Sequence, residues 1–176
     1  MRTGSWVMAV CLVGAAACER GEGPKARPSE GAATKPKAVG PPALRIAQWY
    51  GTEPLTLEGL KGKVVLLDFW NTMCGPCRKL MPHLDELYRR HKAEGLVVIG
   101  VTEDEKNDLE EYVKGTPVGY PLAIDEMKGG SGVTFDAYKI VAVPTVVLIG
   151  RDGAVVWRGT GEKLTDAMVL AELAKK

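Results

Sequence analysis

Beyond residue 18 this 176-residue chain has two cysteines, Cys74 and Cys77, and two histidines, His83 and His91. So few cysteines exclude the framework of structural disulfides on which small exported domains rely. They also argue against zinc, which takes four ligands, usually two cysteine pairs or one pair plus two histidines. His83 and His91 lie eight positions apart on one expected helix, more than two turns from each other, and no metal site is expected. An excess of one charge is missing as well. There are 23 Lys and Arg against 22 Asp and Glu, a net charge of +1, with no basic stripe that would select a nucleic acid. Nothing repeats internally. The apolar stretch Trp6–Ala17 is too short and too weakly flanked for a good transmembrane span. What remains is a length that suits one domain and a hydrophobic content of 45%, enough for a true core.

The most informative segment runs from Val64 to Cys77. An apolar run, Val64–Trp70, ends in the polar turn Asn71-Thr72-Met73, and Cys74-Gly75-Pro76-Cys77 then opens an amphipathic helix. Two thiols this close can form a disulfide. The first sits where free backbone N–H groups and the positive end of a helix stabilise a thiolate. Inert buried cysteines are the alternative, but packing does not explain a Gly-Pro spacer at a strand-to-helix junction. Cys74 is therefore the expected nucleophile. Cys77, one turn in on the apolar face with Leu80 and Met81, is the expected resolving thiol. Pro76 costs no hydrogen bond in a first helical turn, and Gly75 lets a partner approach closely. Asp68 stands out inside the apolar run. A carboxylate is expensive to bury, and strand alternation could instead turn it to solvent.

Three segments are expected along the chain. Residues 1–18 read as an export signal, with Arg2 before the apolar core and Gly14-Ala15-Ala16-Ala17-Cys18 at its end. Small residues before a cysteine resemble a bacterial lipobox, which would make Cys18 a lipidated N-terminus; simple cleavage near Ala17 or an uncleaved anchor are the alternatives. All three put the domain outside the cytoplasm, in a bacterial periplasm or cell envelope. Residues 19–43 are Gly, Pro, Ala, Lys, Arg and Glu with almost no large apolar side chain, the composition of a disordered tether. Residues 44–176 alternate in period. Strands are expected at Leu44–Trp49, Leu55–Leu57, Val64–Trp70, Leu96–Val101, Tyr120–Ile124, Val143–Ile149 and Ala154–Arg158. Helices are expected from Pro76 to His91, at Lys106–Lys114, at Val133–Tyr138 and at Leu164–Ala174. Arg151-Asp152-Gly153 signals a hairpin. The order implies an α/β domain with a mixed central sheet, helices on both faces and a short N-terminal strand extension. Glu103-Asp104-Glu105 is expected to be solvated charge at a helix end.

Phe69-Trp70, Cys74-Gly75-Pro76-Cys77-Arg78-Lys79 and Pro82 together resemble thioredoxin. Leu60-Lys61-Gly62-Lys63 before that strand, Val143-Pro144-Thr145 before a later one, and the Asp152-Gly153 hairpin resemble the extracytoplasmic TlpA/ResA-type thioredoxins. Met73 departs from that pattern where a tryptophan is usual, and Asn71 where an alanine is common. The resemblance implies a thioredoxin fold and a thiol-disulfide oxidoreductase that needs no cofactor and acts mainly as a reductant. It implies that Asp68 corresponds to a buried aspartate behind the resolving cysteine, able to take the Cys77 proton. It implies a cis Pro144 against the cysteines, and substrate contacts from Trp70, Met73, Gly75, Pro76, Val143 and Thr145. Its implied partners are disulfide-containing proteins, including apocytochrome Cys-x-x-Cys-His sites in cytochrome c maturation. A membrane thiol-relay protein is the implied electron donor, and the enzyme itself is expected to be a monomer on a lipid anchor. Two other functions occur on this fold. A Sco-like copper chaperone uses Cys-x-x-x-Cys and a downstream histidine, and there is none after His91. A thiol peroxidase uses Pro-x-x-x-Thr-x-x-Cys, whereas Thr72 is two positions before Cys74 with no proline ahead.

Overall fold

Residues 40–175 are described by the computed structural model. The export segment, Cys18 and all of the expected linker before Gly40 lie outside the described residues. The chain runs β1 (Ile46–Tyr50), β2 (Val64–Trp70), α1 (Gly75–His91), β3 (Leu96–Thr102), α2 (Lys106–Gly115) and β4 (Leu122–Asp125). It continues through β5 (Met127–Lys128), β6 (Ser131–Gly132), α3 (Val133–Ala137), β7 (Thr145–Ile149), β8 (Val155–Thr160) and α4 (Asp166–Leu173). Among the described residues six strands form one mixed sheet in the order β1-β4-β3-β2-β7-β8, and β5-β6 is a separate hairpin of two-residue strands.

The reason Val64–Trp70 is apolar almost throughout is its position. β2 lies between parallel β3 and antiparallel β7, and all seven of its residues are buried. A strand covered on both faces cannot alternate apolar with polar. Its own alternation instead divides two cores. Val64, Leu66 and Trp70 face Met81, Leu84 and Leu87 of α1 and Val169 and Leu173 of α4. Val65, Leu67 and Phe69 face Phe135 and Tyr138 at α3, together with Leu55, Leu57 and Leu60. Because β2, β3 and β4 step in one direction across the sheet, right-handed crossovers put α1 and α2 on the same face. Leu109 of α2 accordingly joins the α1 core.

Most expected elements are present with ends shifted by a few residues. Leu55–Leu57 is the exception among the expected strands: it pairs with no strand among the described residues. The Leu60 N–H donates to the Thr56 carbonyl at 3.1 Å and the Gly59 N–H to Thr56 Oγ1 at 3.1 Å, forming a single helical turn whose leucines cover the second core. Tertiary burial, not pairing, explains those apolar residues. The expected hairpin is closed by Gly150 N–H to the Ala154 carbonyl at 2.9 Å. Gly153 there has φ 79°, which disfavours any residue with a side chain. No helix among the described residues is long and apolar enough to cross a membrane.

Candidate active site

At the C-terminal end of β2 the chain turns through Asn71–Met73 into α1. Cys74 is the N-cap of that helix, at φ −80° and ψ 101°, and its Sγ accepts the Cys77 N–H at 3.1 Å. Its own N–H donates to the Asn71 carbonyl at 3.2 Å. One of the helix's orphan donors therefore points at the Cys74 sulfur, an arrangement that favours negative charge there. Cys74 and Cys77 are joined by a disulfide with Cα atoms 5.2 Å apart. Cys77 is fully buried in the α1 core while Cys74 is only half-buried. The two sulfurs thus differ in access, as an attacking and a resolving thiol must.

Asp68 is fully buried, and neither carboxylate oxygen has a hydrogen-bond partner among the described residues. Strand parity puts it with Leu66 and Trp70 on the face that carries Cys77. Burial pushes its pKa up to about 7. Its register neighbours are Gly100 on β3 and Val146 on β7. A Cβ at Gly100 would come within 2.7 Å of Leu122 Cδ2, 3.0 Å of Trp70 Nε1 and 3.3 Å of Tyr120 Cε2. Glycine there leaves room for Trp70 and Tyr120 beside the carboxylate. The buried Tyr120 phenol is held well above its ordinary pKa, first by burial and next by the Asp68 charge.

The Val143–Pro144 peptide bond is cis. Pro144 shares a cleft of about 360 Å³ with Pro76, Lys79, Leu80 and His83. A second cleft, of about 280 Å³, is lined by Trp70, Asn71, Asp104, Val141 and Val143. Thr145 starts β7 and donates its hydroxyl to the Ala142 carbonyl at 2.6 Å. Gly75 is half-buried and Pro76 exposed, both in the first turn of α1. Met73 is 89% exposed and Val141 96%, the two most exposed large apolar side chains described. Trp70 is completely buried, with its ring 5.3 Å from that of Tyr112, so core packing accounts for it. His83 pairs with Asp166 at 3.1 Å and His91 with Glu94 at 3.0 Å.

The acidic run after β3 is not simply solvated charge. Asp104 Oδ2 accepts the Thr72 N–H at 2.7 Å and the Thr102 hydroxyl at 2.8 Å. Glu103 Oε1 accepts the Gly132 N–H. Sequence reasoning missed both residues, and Tyr120 and Gly100 with them. The available signal was that Thr102-x-Asp104 ends a parallel strand, the side of such a sheet where sites are built.

Residues 42–158 match the AhpC/TSA family. The thiol-disulfide oxidoreductase ResA of Bacillus cereus is 37% identical over 123 residues, covering 69% of this chain and 68% of that protein. ResA of Bacillus subtilis is 34% identical over 116 residues, covering 65% and 62%. Among solved structures, the thioredoxin domain of a thiol-disulfide oxidoreductase from Bacteroides vulgatus superposes with a TM-score of 0.66 at 25% identity, over 77% of this chain and 96% of that one.

Proposed function

Because the chain belongs to the AhpC/TSA family, with ResA thiol-disulfide oxidoreductases among its relatives, we propose for it a protein-disulfide reductase cycle run by Cys74 and Cys77. It is a thiol-disulfide oxidoreductase of the thioredoxin fold. The observation that carries the proposed roles is the asymmetry of the redox pair: an accessible, helix-capping Cys74 and a fully buried Cys77 on the face that holds Asp68.

In the reduced enzyme the Cys74 thiolate attacks one sulfur of a substrate disulfide. The substrate S–S bond breaks, and its other sulfur leaves as a thiolate that takes a proton from water. Cys77 then gives its proton to Asp68 and attacks Cys74 Sγ. The mixed disulfide breaks, the second substrate thiol is released, and two electrons have passed from enzyme to substrate. A pKa near 7 suits Asp68 to accept that proton and return it when the pair is re-reduced. Pro144 and Val143 form the wall against which substrate main chain lies. Met73, Gly75, Pro76 and Thr145 complete the contact surface.

The substrates are disulfides of extracytoplasmic proteins. Apocytochrome Cys-x-x-Cys-His sites are the candidates that the TlpA/ResA resemblance brings. The export-type segment before Cys18 supports a lipid anchor in the cell envelope; the enzyme acts there as a monomer and is re-reduced by a membrane thiol-relay protein. Insulin reduction, run beside copper titration and peroxide consumption, tests the reading. Reductase activity without tight copper binding or peroxide turnover is expected. A reduction potential as oxidising as that of a disulfide-forming enzyme, about −120 mV, would reverse the proposed direction.

A further inference from the structure

We propose that Asp104 is a positioning residue for the redox turn, setting the angle at which Cys74 meets a protein disulfide; this rests on the dithiol cycle above. Three hydrogen bonds carry it. The Thr72 N–H and the Thr102 hydroxyl both donate to Asp104 Oδ2, at 2.7 and 2.8 Å, while the Asp104 N–H donates back to Thr102 Oγ1 at 3.1 Å. Thr102 and Trp70 are register partners on β3 and β2. The carboxylate is therefore fixed on one strand and grips the turn that leaves its neighbour.

That grip has two consequences at the disulfide. Thr72 is drawn inward and is itself buried, while the next residue, Met73, is 89% exposed. Two residues beyond Thr72, Cys74 closes the turn through Asn71 and caps α1. A hydrogen bond from a backbone N–H to a carboxylate is among the stronger ones available to a turn. The segment between Thr72 and Cys74 is too short to absorb its loss without moving the sulfur. Misplacing a reacting atom by about 1 Å can cost about a hundredfold in rate.

The test uses the full chain with insulin as substrate and dithiothreitol as the reductant that restores the dithiol after each turnover. Asp104→Ala is expected to lower kcat by about tenfold or more with KM little changed, because the apolar contact surface remains. Asp104→Asn keeps an oxygen that can accept both bonds, and is expected to recover most of the rate. The Thr72 amide, read by hydrogen exchange, is expected to lose protection in Asp104→Ala while the Leu66 amide keeps its own. A purely structural role would lower the melting temperature without this split or this rescue. Unchanged kcat in Asp104→Ala below its melting transition, or an Asp104→Asn as slow as the alanine variant, overturns the inference. If the wild type fails to reduce insulin, the dithiol reading falls instead. The Thr72 exchange and the rate of Cys74 alkylation in Asp104→Ala then decide the inference alone, and no change in either overturns it.

Discussion

Replacing Asp68 by asparagine keeps the shape of the side chain and removes its charge. In the folded protein burial lifts the Asp68 pKa from 3.8 to about 7, whereas in the unfolded chain it stays near its ordinary value. Below about pH 4 the carboxyl is protonated in both states, so the wild type and the variant should be nearly equal in stability. Between about pH 4 and 7 only the unfolded wild type ionises, so the wild type loses stability as pH rises; above about 7 both states are ionised and the gap stays constant. A difference of about three pH units at 1.36 kcal/mol each is about 4 kcal/mol. For a domain of this size that is about 10 °C in melting temperature at neutral pH. Urea unfolding of the oxidised proteins at several pH values between about 4 and 9 would show the gap opening and then levelling. Turnover should move the other way, falling by about a hundredfold as expected for loss of a general base. The wild-type rate limb that rises through about pH 7 should vanish with it. Parallel stability curves across this range would refute both the buried charge and the proton-acceptor role.

Cys74→Ser should abolish insulin reduction, whereas Cys77→Ser should accumulate a mixed disulfide through Cys74, seen as a mass adduct that dithiothreitol releases; trapping through Cys77 in Cys74→Ser would reverse the roles. Gly100→Ala puts a methyl group 2.7 Å from Leu122 Cδ2 and 3.0 Å from Trp70 Nε1, and should cost about 1–3 kcal/mol by urea unfolding, as overpacking does. A neutral effect would mean that the space beside Asp68 is not filled as described. Cys18→Ala should release the protein from the membrane fraction, and wild-type protein recovered soluble with an unmodified N-terminus would replace the lipid anchor by simple secretion.

The parts legible in the sequence are those set by local rules. An apolar run too continuous for a half-exposed strand marked the centre of the sheet, and the Cys-x-x-Cys pair followed where a helix begins. The Asp152-Gly153 turn marked the last hairpin, since few residues other than glycine tolerate a positive φ. These features depend on neighbours a few residues away, which a sequence displays. Leu55–Leu57 misled because an apolar cluster looks the same whether it pairs in a sheet or merely covers one.

Tertiary structure decided which side chains meet. Whether Asp68 faces solvent or core depends on what covers β2, and α1 does so with Cys77 on its inner side. Tyr120 comes to the buried carboxylate from a segment 52 positions away only because β4 joins the sheet beside β3. Asp104 looked like charge at a helix end until the parallel register of β2 and β3 set it against the Thr72 amide. Residue types in order fix the chemistry a chain can perform, but the distances and burial that tune it come from pairings between segments far apart in sequence, and local patterns do not encode those pairings.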